Sequence, residues 1–237
     1  MITGIQEDLT ALRVAVTGGT SGLGRALVGG LRARGARVAF VARDAARVDA
    51  VARETGAHGI AGDISKKDAI HPVALRITAA LGGLDVLVHN ASSLGPVPLA
   101  PLADTECEAF EEALATNVLG PFRLTKALLG ALGASAREGR AALVVHVTSD
   151  AAVNAYAGWG AYGASKAALA HMSRIWNEET APLGIRMVAI DPGDMDTPMH
   201  AAAVPGADRS ALRRPADAAR EIIERIAARV RGTEVTA

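Results

Sequence analysis

Two rhythms of apolar residues alternate along the chain. Short runs that are apolar at nearly every position, at 12–17, 37–42, 59–61, 84–89, 142–148 and 185–190, read as strands. Longer stretches with apolar residues three or four apart, at 22–34, 45–54, 66–81, 104–132, 161–180 and 215–230, read as helices. Gly35 stops the first helix, and Pro182 with Gly184 stops the fifth. Strands that are apolar on both sides need a layer on each face, and regular strand–helix alternation makes neighbouring strands parallel. The pattern predicts an α/β fold: a doubly wound parallel sheet of six strands with helices on both faces, and 1–237 as a single domain. The long interruption at 191–214 is rich in Pro, Gly and Asp. A loop of that length in a compact domain suits a substrate lid.

Composition narrows the class. Half of the 237 residues are hydrophobic and about a fifth charged, enough for one sizeable core. Basic and acidic residues balance at 25 each, so no excess points to nucleic acid or an anionic membrane as a partner. Residues 1–10 include Glu7 and Asp8 and no apolar run, unlike a signal peptide, and no stretch reaches the ~20 apolar residues of a membrane span. The lone Cys107 excludes an intramolecular disulfide, which suits a cytoplasmic location, and it reads as a small buried helix residue. The six histidines show no close ligand spacing, so no metal is expected.

The first strand runs straight into Thr17-Gly18-Gly19-Thr20-Ser21-Gly22-Leu23-Gly24 and then a helix. Such a turn lets backbone N–H groups approach a pyrophosphate, to which the helix N-terminus adds partial positive charge. The second strand ends in Arg43-Asp44. Spacing alone assigns Asp44 to the ribose of NAD. Asp44 also directly precedes a helical run, where it suits an N-cap, and that frees Arg43 for the 2′-phosphate of NADP. NADP(H) is therefore favoured over NAD(H).

Tyr162 and Lys166 are four residues apart on one predicted helix, and hence on one face of it. An ammonium beside a phenol lowers the phenol's pKa and equips it to give or take a proton at a carbonyl oxygen. Ser149, at the end of a predicted parallel strand, stands where ligands bind in such sheets. Asn117 lies in a long helical region, where it is either solvent-facing or the holder of a water in a proton path.

Taken in order, the turn at 17–24, Gly62-Asp63-Ile64, His89-Asn90-Ala91-Ser92, Asn117, Ser149, Tyr162-x-x-x-Lys166 and Asp191-Pro192-Gly193 through Thr197 resemble the short-chain dehydrogenase/reductase family. The resemblance implies a Rossmann-type fold, a nicotinamide cofactor and a carbonyl or alcohol substrate. It makes Tyr162 the general acid/base and Lys166 its pKa partner and ribose ligand. Ser149 then orients the substrate oxygen, and Asn117 completes a proton relay through water. Gly18, Thr20, Ser21, Gly22, Leu23 and Gly24 would cradle the pyrophosphate. Arg43 would mark NADP, Asp63 and Ile64 would flank the adenine, and Asn90 and Ala91 would lie along the cofactor. Ile190, Pro192, Gly193 and Thr197 would line its nicotinamide end. His89 replaces the family's usual Asn and reads as a packing or hydrogen-bonding residue. The sequence after 230 is short, so a seventh strand is short or absent. A homodimer through the helices at 104–132 and 161–180 is implied, with a tetramer in doubt.

The segment 149–159 and the lid should meet the substrate. Asp150, Tyr156 and Trp159 from the first, and Met195 and Met199 from the second, are the candidates; His200 reads as a solvated loop residue. Three functions fit these residues: an NADPH-dependent carbonyl reductase, an NAD-dependent alcohol dehydrogenase, and a cofactor-binding regulatory protein without turnover.

Overall fold

The computed structural model describes residues 9–231. Six strands, β1 (Arg13–Thr17), β2 (Arg37–Ala42), β3 (His58–Ala61), β4 (Val86–His89), β5 (Leu143–Val147) and β6 (Arg186–Ile190), form one sheet in the order β3-β2-β1-β4-β5-β6. Every pairing is parallel. The stretch after 230, where a seventh strand is expected to be short or absent, lies almost wholly outside the described residues.

Alternate side chains of each strand feed two cores. Val14, Val16, Val38 and Phe40 pack on one face with α1 (Gly22–Ala33), α2 (Ala45–Thr55) and α8 (Pro215–Val230). Ala15, Ala39, Val41 and Leu87 pack on the other with α3 (Ile70–Leu81) and α5 (Gly120–Arg137), where Trp176 of α6 (Gly160–Thr180) joins them. Burial on both faces explains why the strands read as continuous apolar runs. Strand order reverses between β1 and β4, and a crevice opens there beyond the carboxyl ends of the strands.

Two elements differ from expectation. The helix predicted at 104–132 begins later and is interrupted: α4 (Cys107–Leu114), a widened π stretch (Ala115–Leu119), then α5. Pro121 has no N–H to give the carbonyl of Asn117, its partner four residues back, so the helix cannot continue in α geometry through this turn. Cys107 opens α4 and is exposed rather than buried.

The segment 191–214 also carries more structure than an irregular loop. It contains α7 (Pro198–Ala203) and a 3-10 turn (Arg209–Ala211). Its ends are pinned together, with the Asp196 N–H donating to the Arg213 carbonyl at 2.9 Å and the Arg213 N–H to the Asp194 carbonyl at 3.1 Å.

The opposite end of the sheet is held by charge. Asp85, buried just before β4, accepts hydrogen bonds from the guanidinium groups of both Arg13 and Arg140, each at 2.7 Å at its shortest. Burial pushes its carboxyl pKa up, but the two arginines outweigh that and bring it to about 2.

Candidate active site

A cleft of about 800 Å³ runs over the carboxyl ends of the strands. The glycine turn forms one wall, and its geometry admits no side chain at two positions. Gly18 has φ +73°, and a Cβ there would lie 2.8 Å from Ala91 Cα. A Cβ on Gly24 would collide with the Gly18 carbonyl oxygen. The turn is braced from β4: Asn90 Nδ2 donates to the carbonyls of Thr17 (3.0 Å) and Gly18 (3.2 Å), while Thr17 Oγ1 accepts from the N–H groups of Asn90 and Ala91. Thr17 is a bracing residue that motif reading undervalued.

The N-terminus of α1 has no side-chain cap and no acidic residue in its first turn. Its partial positive charge therefore faces the cleft uncompensated, as an anion site requires. At the neighbouring helix the opposite holds. Asp44 Oδ1 accepts from the Arg47 N–H at 3.1 Å, capping α2 as its sequence position suggested. Arg43 is exposed on the cleft wall and, among the described residues, is in no ion pair. Asp63 holds the turn after β3, accepting from the Ser65 N–H (2.9 Å) and hydroxyl (2.8 Å). Beside it Ile64 is buried.

Tyr162 and Lys166 meet on the cleft floor. The Lys166 ammonium lies 5.4 Å from the centre of the Tyr162 ring and donates to the Val147 carbonyl at 2.8 Å. Burial brings the Lys166 pKa down to about 8, against an opposing pull from Asp191. Lys166 was expected to lower the Tyr162 pKa, yet in this arrangement it stands raised to about 12. Burial is the main cause; the Ser149 hydroxyl acts to lower it, and the carboxylates of Asp191, Asp150 and Asp194 raise it further. Ser149 begins the 3-10 turn after β5, where its Oγ accepts from the Ala151 N–H at 3.2 Å and donates to Asp150 Oδ1 at 3.0 Å.

Asn117 is buried in the π stretch, not solvent-facing. Its Oδ1 accepts from the Ser93 N–H, and its Nδ2 donates to the Ser93 carbonyl and to Ser165 Oγ, each at 2.8 Å. Ser165 Oγ passes its own hydrogen to the Tyr162 carbonyl at 2.7 Å. Asn117 thus ties the loop after β4 to the helix that carries Tyr162. Ser93 and Ser165 carry no local signal in the sequence; Pro121, four residues past Asn117, signals only the break in the helix.

The profile of the short chain dehydrogenase family matches residues 13–208. The chain belongs to this family. A short chain dehydrogenase of Pseudocercospora fijiensis is 32% identical over 203 residues, 83% of this chain. The chain spans 63% of that relative's length. Among solved structures, a 3-ketoacyl-(acyl-carrier-protein) reductase from Brucella melitensis complexed with NADH has a TM-score of 0.86 at 27% identity, covering 97% of this chain and 95% of that one. A short chain dehydrogenase of Shigella flexneri complexed with NADP has a TM-score of 0.79 at 30% identity, covering 89% of each.

The far end of this short chain dehydrogenase's cleft is lined by Asp150, Tyr156, Trp159, Met195, Met199 and His200. The Trp159 and Tyr162 rings meet edge to face at 5.7 Å, and Leu94, Met199 and Ala203 pack around them. His200 is partly buried on α7, not solvated in a loop. Pro192, Gly193 and Thr197 close the cleft from the side of β6. The Gly193 N–H donates to Asp191 Oδ1 at 2.9 Å, and Thr197 caps α7 by accepting from the His200 N–H at 3.1 Å. His89 does pack and hydrogen-bond: its ring stacks on His146 at 5.1 Å, and Nε2 lies 2.8 Å from Thr125 Oγ1. Among the described residues no group of three or more His, Cys, Asp or Glu could hold a metal, and no helix is long and apolar enough to cross a membrane.

Proposed function

We propose that the protein is an NADP(H)-dependent oxidoreductase that interconverts a ketone or aldehyde with its alcohol. The observation that carries this reading is the Tyr162–Lys166 contact on the floor of a cleft whose wall is an uncapped glycine turn. The residues present fit a nicotinamide dinucleotide. Gly18, Thr20, Ser21, Gly22, Leu23 and Gly24 would hold the pyrophosphate, with Asp63 and Ile64 at the adenine. Asn90 and Ala91 would lie along the middle, Lys166 at the nicotinamide ribose, and Pro192, Gly193 and Thr197 beyond it. Arg43, exposed and in no ion pair among the described residues, beside an Asp44 occupied in capping α2, supports NADP over NAD. The cofactor, when bound, supplies hydride to the carbonyl carbon or accepts it from the alcohol.

The chain's own residues handle the proton and the orientation. Tyr162 Oη donates its proton to the carbonyl oxygen as the alcohol forms. Ser149 hydrogen-bonds that oxygen and fixes the carbonyl for attack. The Lys166 ammonium stabilises the phenolate left behind. With its phenol pKa raised to about 12, Tyr162 is protonated at neutral pH, the form that donates in reduction. Both amide hydrogens of Asn117 are committed, so we assign its side chain a positioning role. Its carbonyl, which Pro121 cannot reach as an α-helical donor, is the group left for a relay water. Trp159, Met195 and Met199 would offer the substrate an apolar wall, with 191–214 as its lid. Exposed Leu119, Phe122 and Ile175 on the α5–α6 side support a homodimer.

Cofactor titration and mutation test the reading together. NADPH fluorescence should respond at lower concentration than NADH fluorescence. Tyr162→Phe should remove most turnover across a carbonyl panel while keeping cofactor affinity. Tighter NADH binding would overturn the Arg43 argument, and full activity in the phenylalanine variant would overturn the mechanism.

A further inference from the structure

Ser149 is asked to donate a hydrogen bond to the substrate oxygen, yet its single hydroxyl hydrogen already has acceptors on the protein, Asp150 Oδ1 at 3.0 Å and the phenol oxygen of Tyr162. The other carboxylate oxygen of Asp150 accepts from Tyr156 Oη at 2.6 Å. This short bond is the main reason that the Asp150 pKa lies below the ordinary carboxylate value, so the group is anionic at neutral pH. Asp150 is exposed to the cleft and, among the described residues, has no cation within ion-pair distance. Further carboxylates lie near this end of the cleft: Asp194 acts on the phenols of Tyr156 and Tyr162, and Asp191 on that of Tyr162, while the Lys166 ammonium donates to the Val147 carbonyl.

We propose that Asp150 is the specificity-determining residue of this site and that it takes the protonated amine of a 1,2-amino alcohol or α-amino ketone. The inference rests on the oxidoreductase reading. Ser149 and Asp150 are adjacent in the chain and hydrogen-bonded, so the oxygen and nitrogen of one O–C–C–N unit can face them together. An ammonium brings charge-assisted N–H donors to a carboxylate whose present donors, from Tyr156, Ser149, Ala151 and Asn154, are all neutral. It replaces the Ser149 bond, and the Ser149 hydrogen turns to the substrate oxygen. A neutral ketone offers Asp150 no donor and leaves Ser149 committed. Substrate charge thereby completes the catalytic arrangement.

The test compares 2-amino-1-phenylethanol with 1-phenyl-1-propanol and 1-phenyl-1,2-ethanediol, at neutral pH. Turnover is followed with NADP and NAD, and ternary binding to the cofactor complex is followed by calorimetry. We expect the amine to exceed both neutral alcohols by about tenfold or more in kcat/KM or, where none turns over, in ternary affinity. Asp150→Asn should bring the ratio to within about threefold, while Tyr156→Phe, which retains the carboxylate, should keep a preference for the amine. Equal handling of the three compounds, a diol as good as the amine, or a preference that survives Asp150→Asn would overturn the proposal. NADPH binding in the same samples separates the two readings. Its absence from the wild type sinks the oxidoreductase reading, whereas its presence without amine preference sinks only this one.

Discussion

Lys166 is buried at the cost of its charge, and that cost can be measured. A fall in pKa from 10.5 to about 8 means that, at pH 7, burial of the ammonium opposes folding by about 3 kcal/mol, at ~1.4 kcal/mol per pH unit. Lys166→Met removes this term and loses the hydrogen bond to the Val147 carbonyl, worth about 1 kcal/mol. The cofactor-free variant should therefore be about 2 kcal/mol more stable at pH 7, a rise in Tm of about 4–8 °C for a chain of this size. The sign reverses with pH. Between pH 8 and 10.5 the unfolded lysine binds a proton that the folded one has released, so wild-type stability rises relative to the variant and the gap closes and then inverts. Thermal melts of both proteins at pH 7, 9 and 10.5 provide the assay. A variant that melts at or below the wild type at pH 7, or a gap that stays constant with pH, would refute the idea that this lysine is held against its own solvation.

The same lysine should shape the rate: kcat/KM for reduction falls above about pH 8 as the free enzyme loses the ammonium, and Lys166→Arg should move that limb upward in a pH–rate profile. Asp85→Asn should cost about 3 kcal/mol at pH 7 in a urea titration, because two guanidinium groups lose their buried partner. Because the folded pKa of Asp85 is depressed, its contribution is complete above pH 3.8 and is lost as the pH falls through about 2, so the gap between wild type and variant should narrow in acid. Gly24→Ala should abolish NADPH binding in a fluorescence titration, since its Cβ would occupy the position of the Gly18 carbonyl oxygen and open the turn.

Strand and helix types were legible because each strand is buried on both faces and so carries an unbroken apolar signal. Tyr162, Lys166, Ser149 and the glycine turn were legible because each lies at a fixed point of a βα unit, and order along the chain converts directly into place along the cleft. Contacts between distant segments were not legible. Nothing local indicates that Asn117 reaches Ser93 and Ser165, or that the hydrogen of Ser149 goes to Asp150. The break in the α4–α5 helix was legible in principle, because Pro121 forbids one backbone bond. A long apolar periodicity concealed it. The pKa of Tyr162 was misjudged for a related reason. Spacing revealed its neighbour Lys166, but neither the burial that dominates nor the three carboxylates brought from two other segments.

The two ends of the sheet take opposite electrostatic forms, and the parallel topology explains the division. All six strands point the same way, so every carboxyl end lies at the cleft and every amino end lies on the far side. At the cleft, an uncapped helix N-terminus and a buried ammonium each oppose stability, and each becomes useful only when a ligand arrives. On the far side, Asp85 is satisfied by Arg13 and Arg140 from β1 and the approach to β5, fastening the central strands where no ligand binds. Because β4 runs from Asp85 to the threshold of Asn90, one strand joins the clamp to the brace of the glycine turn. Loosening the clamp should therefore shift the whole chain's stability without changing cofactor affinity, whereas opening the turn should do the reverse at lower energetic cost. If Asp85→Asn weakened NADPH binding as strongly as it weakened folding, β4 would be acting as a transmitter between the two ends rather than as a rigid support.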